Sequence, residues 1–88
     1  MKVESPEARD RIRNRLRRIE GQVRGVQRML DDGRDCQEIV QQLAAIRAAV
    51  QQAGLDVMRV YAAQCLSDPN ADVEAMVEYL TGTLAKWA

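Results

Sequence analysis

Apolar side chains recur along this chain at intervals of three and four, the repeat of one face of an α-helix, and no stretch alternates with the period of two that a strand requires. In the first third, Ile12, Leu16, Ile19, Val23, Val26 and Leu30 run at steps of 4, 3, 4, 3 and 4, which predicts a single apolar stripe on one helix. Ser5 suits the N-cap, Pro6 the first turn and Glu7 the positive end of the dipole, so this helix opens at "SPE" and closes at "DDG". A second stripe takes in Ile39, Val40, Leu43, Ile46, Val50, Val57, Met58, Tyr61, Cys65 and Leu66. Asp35 followed by Glu38 has the form of a capping box and starts that helix at Cys36, while "SDPN" stops it. Gly54 is its weak point. A third amphipathic helix is expected from about Asp68-Pro69, carrying Val73, Met76, Val77, Leu80, Leu84 and Trp87.

The pattern therefore predicts one all-α domain over residues 1–88, with two long helices and a short C-terminal third. At about 1.5 Å per residue each long helix reaches roughly 40 Å, too long for a compact monomer of this size. Composition sharpens the point. Phe is absent and only Tyr61, Tyr79 and Trp87 are aromatic, so the core must come from Ala, Val, Leu, Ile and Met. Two antiparallel helices would leave part of each stripe bare, notably the Ala-rich face of "LAAIRAAV". A second copy completing an antiparallel four-helix bundle is the economical remedy, giving a homodimer or, as a dimer of dimers, a homotetramer. With 47% apolar and 30% charged residues the chain is too hydrophobic to be disordered. No apolar run approaches the roughly 18 residues of a membrane span, and no secretory signal is visible, so a cytoplasmic protein with no membrane partner is expected.

The net charge of zero hides an asymmetry. Residues 1–30 hold nine Lys or Arg against four acids, and the remaining residues hold four against nine. Eight of those nine cations are arginines between Arg9 and Arg28. Arg11, Arg15 and Arg18 share one helix face, with Arg13, Arg17, Arg24 and Arg28 extending the cationic surface around it. Such a stripe is the footprint of phosphate recognition; the competing reading is a solvated face with Glu20 and Arg24 paired. The segment has no aromatic residue on which single-stranded bases could stack, so double-stranded DNA is the better partner.

The chain has two cysteines and no histidine. Cys36 begins the second helix and Cys65 lies 29 residues later, near its end, which on one continuous helix is roughly 43 Å. The two thiols of one chain cannot meet. In a two-fold dimer with the second helices antiparallel, Cys36 of one subunit would face Cys65 of the other, twice per dimer. The amides and dipole of a helix N-terminus favour a thiolate at Cys36, and Arg34 adds charge while Asp35 and Glu38 oppose it. Each cysteine alone also fits the role of a small buried hydrophobe. A thiol enzyme is not expected, since neither a histidine base nor a Gly-rich phosphate loop is present.

Residues 15–50, "RLRRIEGQVRGVQRMLDDGRDCQEIVQQLAAIRAAV", resemble the signature region of the CsoR/RcnR family of bacterial transcriptional repressors, and the resemblance extends over most of the chain. It implies an all-α dimer or dimer of dimers that releases operator DNA when an inducer modifies a site between subunits. The sensing positions it implies are Cys36, Tyr61 and Cys65. Copper-sensing members carry Cys, His and Cys there and hold Cu(I) between subunits; this chain has Tyr61 in the place of the histidine, and a phenol is a poor ligand for a soft ion. Imidazole-dependent nickel or cobalt sensing fits less well. The persulfide-sensing branch keeps two cysteines without the histidine, the pattern closest to this one. The formaldehyde-sensing branch uses an N-terminal proline, where this chain has Lys2 after Met1. The expectation is thus a repressor sensing reactive sulfur, persulfide or polysulfide, with no cofactor; Cu(I) on Cys36 and Cys65 is the alternative and a formaldehyde response a more distant one. The resemblance nominates Arg15, Arg18 and Arg47 for DNA contact, with Arg11 on the same face and Gln22 a further candidate beside Gln41 and Gln42.

Overall fold

The computed structural model describes residues 1–87 and contains three helices: α1 (Pro6–Asp31), α2 (Cys36–Ser67) and α3 (Val73–Trp87). The ends of α1 form as the local sequence dictates. Ser5 Oγ accepts the Ala8 amide at 3.2 Å, and Pro6 occupies the first turn. At the other end the Arg34 amide reaches back to the Met29 carbonyl at 2.9 Å, and Gly33 adopts φ +67°, the left-handed closing residue that only glycine takes without strain. Asp35 caps α2 by accepting the Gln37 amide at 3.0 Å. Glu38 does not close the expected capping box; it pairs with Arg34 Nε at 2.8 Å instead. The third helix starts four to five residues later than the sequence suggests. Asp68 first makes a turn by accepting the Asn70 amide at 2.9 Å, and it is Asp72, accepting from Ala75 at 3.0 Å, that caps α3.

Helices α1 and α2 run antiparallel, the chain before α1 lying against the last turns of α2 where Gln64 bonds to Lys2 and Glu4. Their contact divides the stripe predicted for α1. Ala8, Ile12 and Val26 are buried and Ile19 and Met29 half-buried, whereas Leu16, Val23 and Leu30, seven apart, remain exposed. On α2, Ala53, Asp56 and Cys65 are buried while Val40, Leu43, Val50 and Val57 face outward. The protein thus carries two apolar surfaces, one closed within the subunit and one open.

The third helix folds back along α2. Tyr79 meets Tyr61 edge to face with ring centroids 5.9 Å apart, and Trp87 lies on Gly54. Gly54 is therefore no hinge: α2 passes through it unbroken. A methyl group there would overlap the Trp87 ring. Gly54→Ala is expected to expel the indole and cost about 1–3 kcal/mol despite the better helix propensity of alanine. Thermal unfolding together with a red shift in the emission of the chain's single tryptophan would register it.

The outcome is a flat plate of 55 × 28 × 12 Å. Its radius of gyration is 16.8 Å, against about 12 Å for a compact chain of this length. Its accessible surface is 6732 Å², against about 5,200 Å² for a folded monomer of this mass.

Candidate functional site

The unbroken α2 holds Cys36 and Cys65 at opposite ends, so the intrachain separation expected from the sequence stands. Cys36 is exposed on the first turn and Cys65 is buried at 4% exposure. Arg34, next to Cys36, spends its charge on Glu38 and offers no free cation to that sulfur. Cys65 has a different neighbourhood. Its Sγ lies 3.8 Å from Met1 Sδ, because the segment before α1 crosses the end of α2. Tyr61, one turn before Cys65, is half-buried against Tyr79. It lines an open cavity of about 560 Å³ whose walls include Met1, Met58, Tyr79 and Trp87.

On the basic helix the arginines fall into two groups. Arg11, Arg17, Arg18 and Arg28 are exposed and have no ion-pair partner among the described residues. Arg13 and Arg24 make only exposed 3.4 Å pairs with Asp10 and Glu20. Arg15 differs from all of these. Its Nε contacts Asp56 Oδ2 in an ion pair between α1 and α2, and Arg59 Nη1 adds a second cation 3.7 Å from Oδ1. Asp56 is 5% exposed. Neither Arg15 Nε nor Asp56 Oδ2 has a well-directed hydrogen bond, so charge and not N–H alignment holds the pair. Gln22 is half-buried with its side-chain carbonyl unpartnered. Arg47 is exposed on α2, beside Lys86 and Trp87 at the far end of the plate.

Asp56 is not marked by the apolar pattern of α2, although the sequence holds a signal for it. Arg15 sits between Ile12 and Ile19 in the inward register of α1, and Asp56 between Ala53 and Val60 in that of α2. Opposite charges at two inward positions of neighbouring helices are costly unless they meet. The Met1 and Gln64 contacts have no such signal, because they join residues sixty or more apart.

The profile of the metal-sensitive transcriptional repressors matches residues 8–86. The chain belongs to that family. It is 36% identical over 85 residues to the copper-sensing transcriptional repressor CsoR of Bacillus subtilis, an alignment covering 94% of this chain and 84% of that protein. Among solved structures it is similar to the copper-sensing repressor CsoR with Cu(I) from Geobacillus thermodenitrificans (TM-score 0.78, 33% identity, 99% of this chain and 93% of that one). A variant of the formaldehyde-responsive regulator FrmR from Salmonella enterica serovar Typhimurium is as similar in shape (TM-score 0.79, 28% identity, 97% and 99% coverage). The all-α fold is thereby shown, and the chain is a repressor of this family and not an enzyme. One expectation is overturned: a site defined as needing no cofactor does not stand, because CsoR of Bacillus subtilis and RicR of Mycobacterium tuberculosis, both similar to this chain, are copper-sensing, and a similar repressor is solved with Cu(I). The donors present suit that ion, since thiolate and thioether sulfur are the ligands that select Cu(I). Solved formaldehyde-responsive, copper-sensing and nickel-responsive regulators share this fold at TM-scores of 0.79, 0.78 and 0.73, so the backbone alone does not identify the inducer.

Proposed function

We propose that this chain is an operator-DNA-binding repressor that lets go of DNA when Cu(I) joins Cys36 of one subunit to Cys65 of the partner subunit. One observation carries the reading. The two thiols are fixed at opposite ends of one straight helix, with the buried one facing a second soft sulfur. A bound Cu(I) would supply a strong, short bridge between the two thiolates. The exposed apolar face formed by Leu16, Val23 and Leu30 with Val40, Leu43, Val50 and Val57 supports the assembly this requires. The excess of roughly 1,500 Å² over a compact monomer is the area that one partner of an obligate interface hides.

The residues of one subunit also suggest how the site reaches the DNA face. Cys65 and Asp56 share α2, and Asp56 grips Arg15 of α1. A change in the seating of α2 against its mate therefore moves Arg15 relative to Arg11 and Arg18. Phosphate contacts that were in register with the duplex fall out of it, and binding weakens. Neither Arg47 nor Gln22 is tied to α2 and α1 in this way.

A second reading rests on Tyr61 standing where an imidazole would otherwise complete the donor set, and on Cys36 being exposed. The Cys36 thiolate attacks the sulfane sulfur of a persulfide RS–SH, releasing RSH and leaving Cys36 as a persulfide. The Cys65 thiolate of the partner subunit then attacks the inner sulfur and expels hydrosulfide, giving an intersubunit disulfide. The sulfane sulfur is the two-electron oxidant. Fluorescence anisotropy on a promoter fragment, with Cu(I) and polysulfide added separately, tests both. Release by stoichiometric Cu(I) and recovery with a Cu(I) chelator are expected. Release by polysulfide alone would replace the copper reading with the sulfur one, and release by neither would remove both.

A further inference from the structure

Two long-range hydrogen bonds and one local one pin the segment before α1, and the residue they leave at its tip is Met1. Gln64 Nε2 donates to the Lys2 carbonyl at 2.7 Å, and Gln64 Oε1 accepts the Glu4 amide at 2.9 Å. One side-chain amide thus grips the segment on both sides of Val3. Arg9 Nη2 adds a third bond, donating to the Val3 carbonyl at 2.9 Å. Gln64 is the immediate neighbour of Cys65. Its clamp carries Met1 across the end of α2 and sets Sδ 3.8 Å from Cys65 Sγ. Met1 is otherwise 68% exposed, so it is not held there by burial in a core.

From this convergence we propose that Met1 supplies a thioether as the third soft ligand to Cu(I) beside Cys65, and that Gln64 is the positioning residue that delivers it. The inference rests on the copper reading above and adds a donor to it. A thioether is neutral, polarizable and needs no deprotonation, which suits a site with no imidazole and keeps the charge of a bis-thiolate Cu(I) complex at −1. Tyr61 then has a part that does not require it to bind metal. With Tyr79 it walls the apolar cavity on which Met1 lies, and apolar walls keep water from competing for a soft ion. Replacing the clamp should matter as a supporting residue matters. Removal of such residues weakens metal binding about 10- to 100-fold.

X-ray absorption on selenomethionine protein loaded with one Cu(I) per Cys36–Cys65 pair reads the donor directly. A copper–selenium scattering path is expected, surviving in Met58→Leu and disappearing in Met1→Leu, the latter made by cleaving a removable leader. Gln64→Ala should lose most of that path and bind Cu(I) about tenfold or more weakly in competition with a chelator, with its helical content unchanged. A copper shell of two sulfurs without selenium in the wild-type sequence overturns the thioether while leaving the bis-thiolate site standing. Intact mass showing that Met1 has been removed from the mature chain overturns it equally. Failure to bind Cu(I) at all removes this proposal and the copper reading together.

Discussion

Cys65→Ala protein will bind promoter DNA as tightly as the parent and will not release it when Cu(I) is added. The same result is expected for Cys36→Ala, and the pair is informative because the two positions differ in every other respect. Cys36 is exposed on the first turn of α2, so its truncation should leave stability within about 0.5 kcal/mol of the parent. Cys65 is buried, and its loss should cost on the order of 1 kcal/mol through the small void it leaves. Two residues with unlike surroundings, at opposite ends of a helix, would share a phenotype only if they serve one site. Cu(I) affinity should fall in each by more than the 10- to 100-fold that loss of a supporting residue costs. DNA anisotropy with and without Cu(I), alongside a chelator competition, measures both. A variant that still releases DNA normally would remove its cysteine from the mechanism.

Leu43→Glu should abolish assembly, and with it DNA binding. Leu43 lies on the open face of α2, half exposed in the isolated subunit, with Val50 and Val57 one and two heptads further on. Each Val or Leu covered on this face contributes about 1.5–3 kcal/mol, which is what a thinly packed plate needs to hold its shape. A carboxylate on this face would have to be desolvated without a partner. The effective penalty is several kcal/mol per ion, and two-fold symmetry imposes it twice. Sedimentation should give the parent as a multiple of 9.9 kDa and the variant as a monomer, partly unfolded. A variant that sediments like the parent would show that this face is not the interface.

The contrast between what the sequence foretold and what it concealed follows from range. Ser5, Gly33 and Asp35 act within a few residues of themselves, and their caps and turns were legible. The 4-3 repeat of α1 was legible as a helix but not as two faces. A 4-3 run contains two interleaved heptad rows, and only the partner helix decides that Ile12, Ile19 and Val26 turn inward while Leu16, Val23 and Leu30 stay out. Gly54 illustrates a misreading of a different kind. Helix propensity makes a mid-helix glycine a weakness, yet here it is the seat for Trp87, thirty-three residues away. Of the candidate site, the placement of the two thiols followed from helix geometry alone. The ion pair under Arg15 and the Gln64 clamp required the third dimension.

Mixing chains grown in light and in ¹⁵N medium, reassembling them and cross-linking with polysulfide tests the cross-subunit site most directly. Mass spectrometry of the digest then reads the peptides joined through Cys36 and Cys65. The account predicts joined pairs in which the two peptides carry different labels, at twice the abundance of either uniformly labelled pair, as random pairing in a two-fold assembly requires. Joined Cys36–Cys65 peptides that always carry the same label would contradict it.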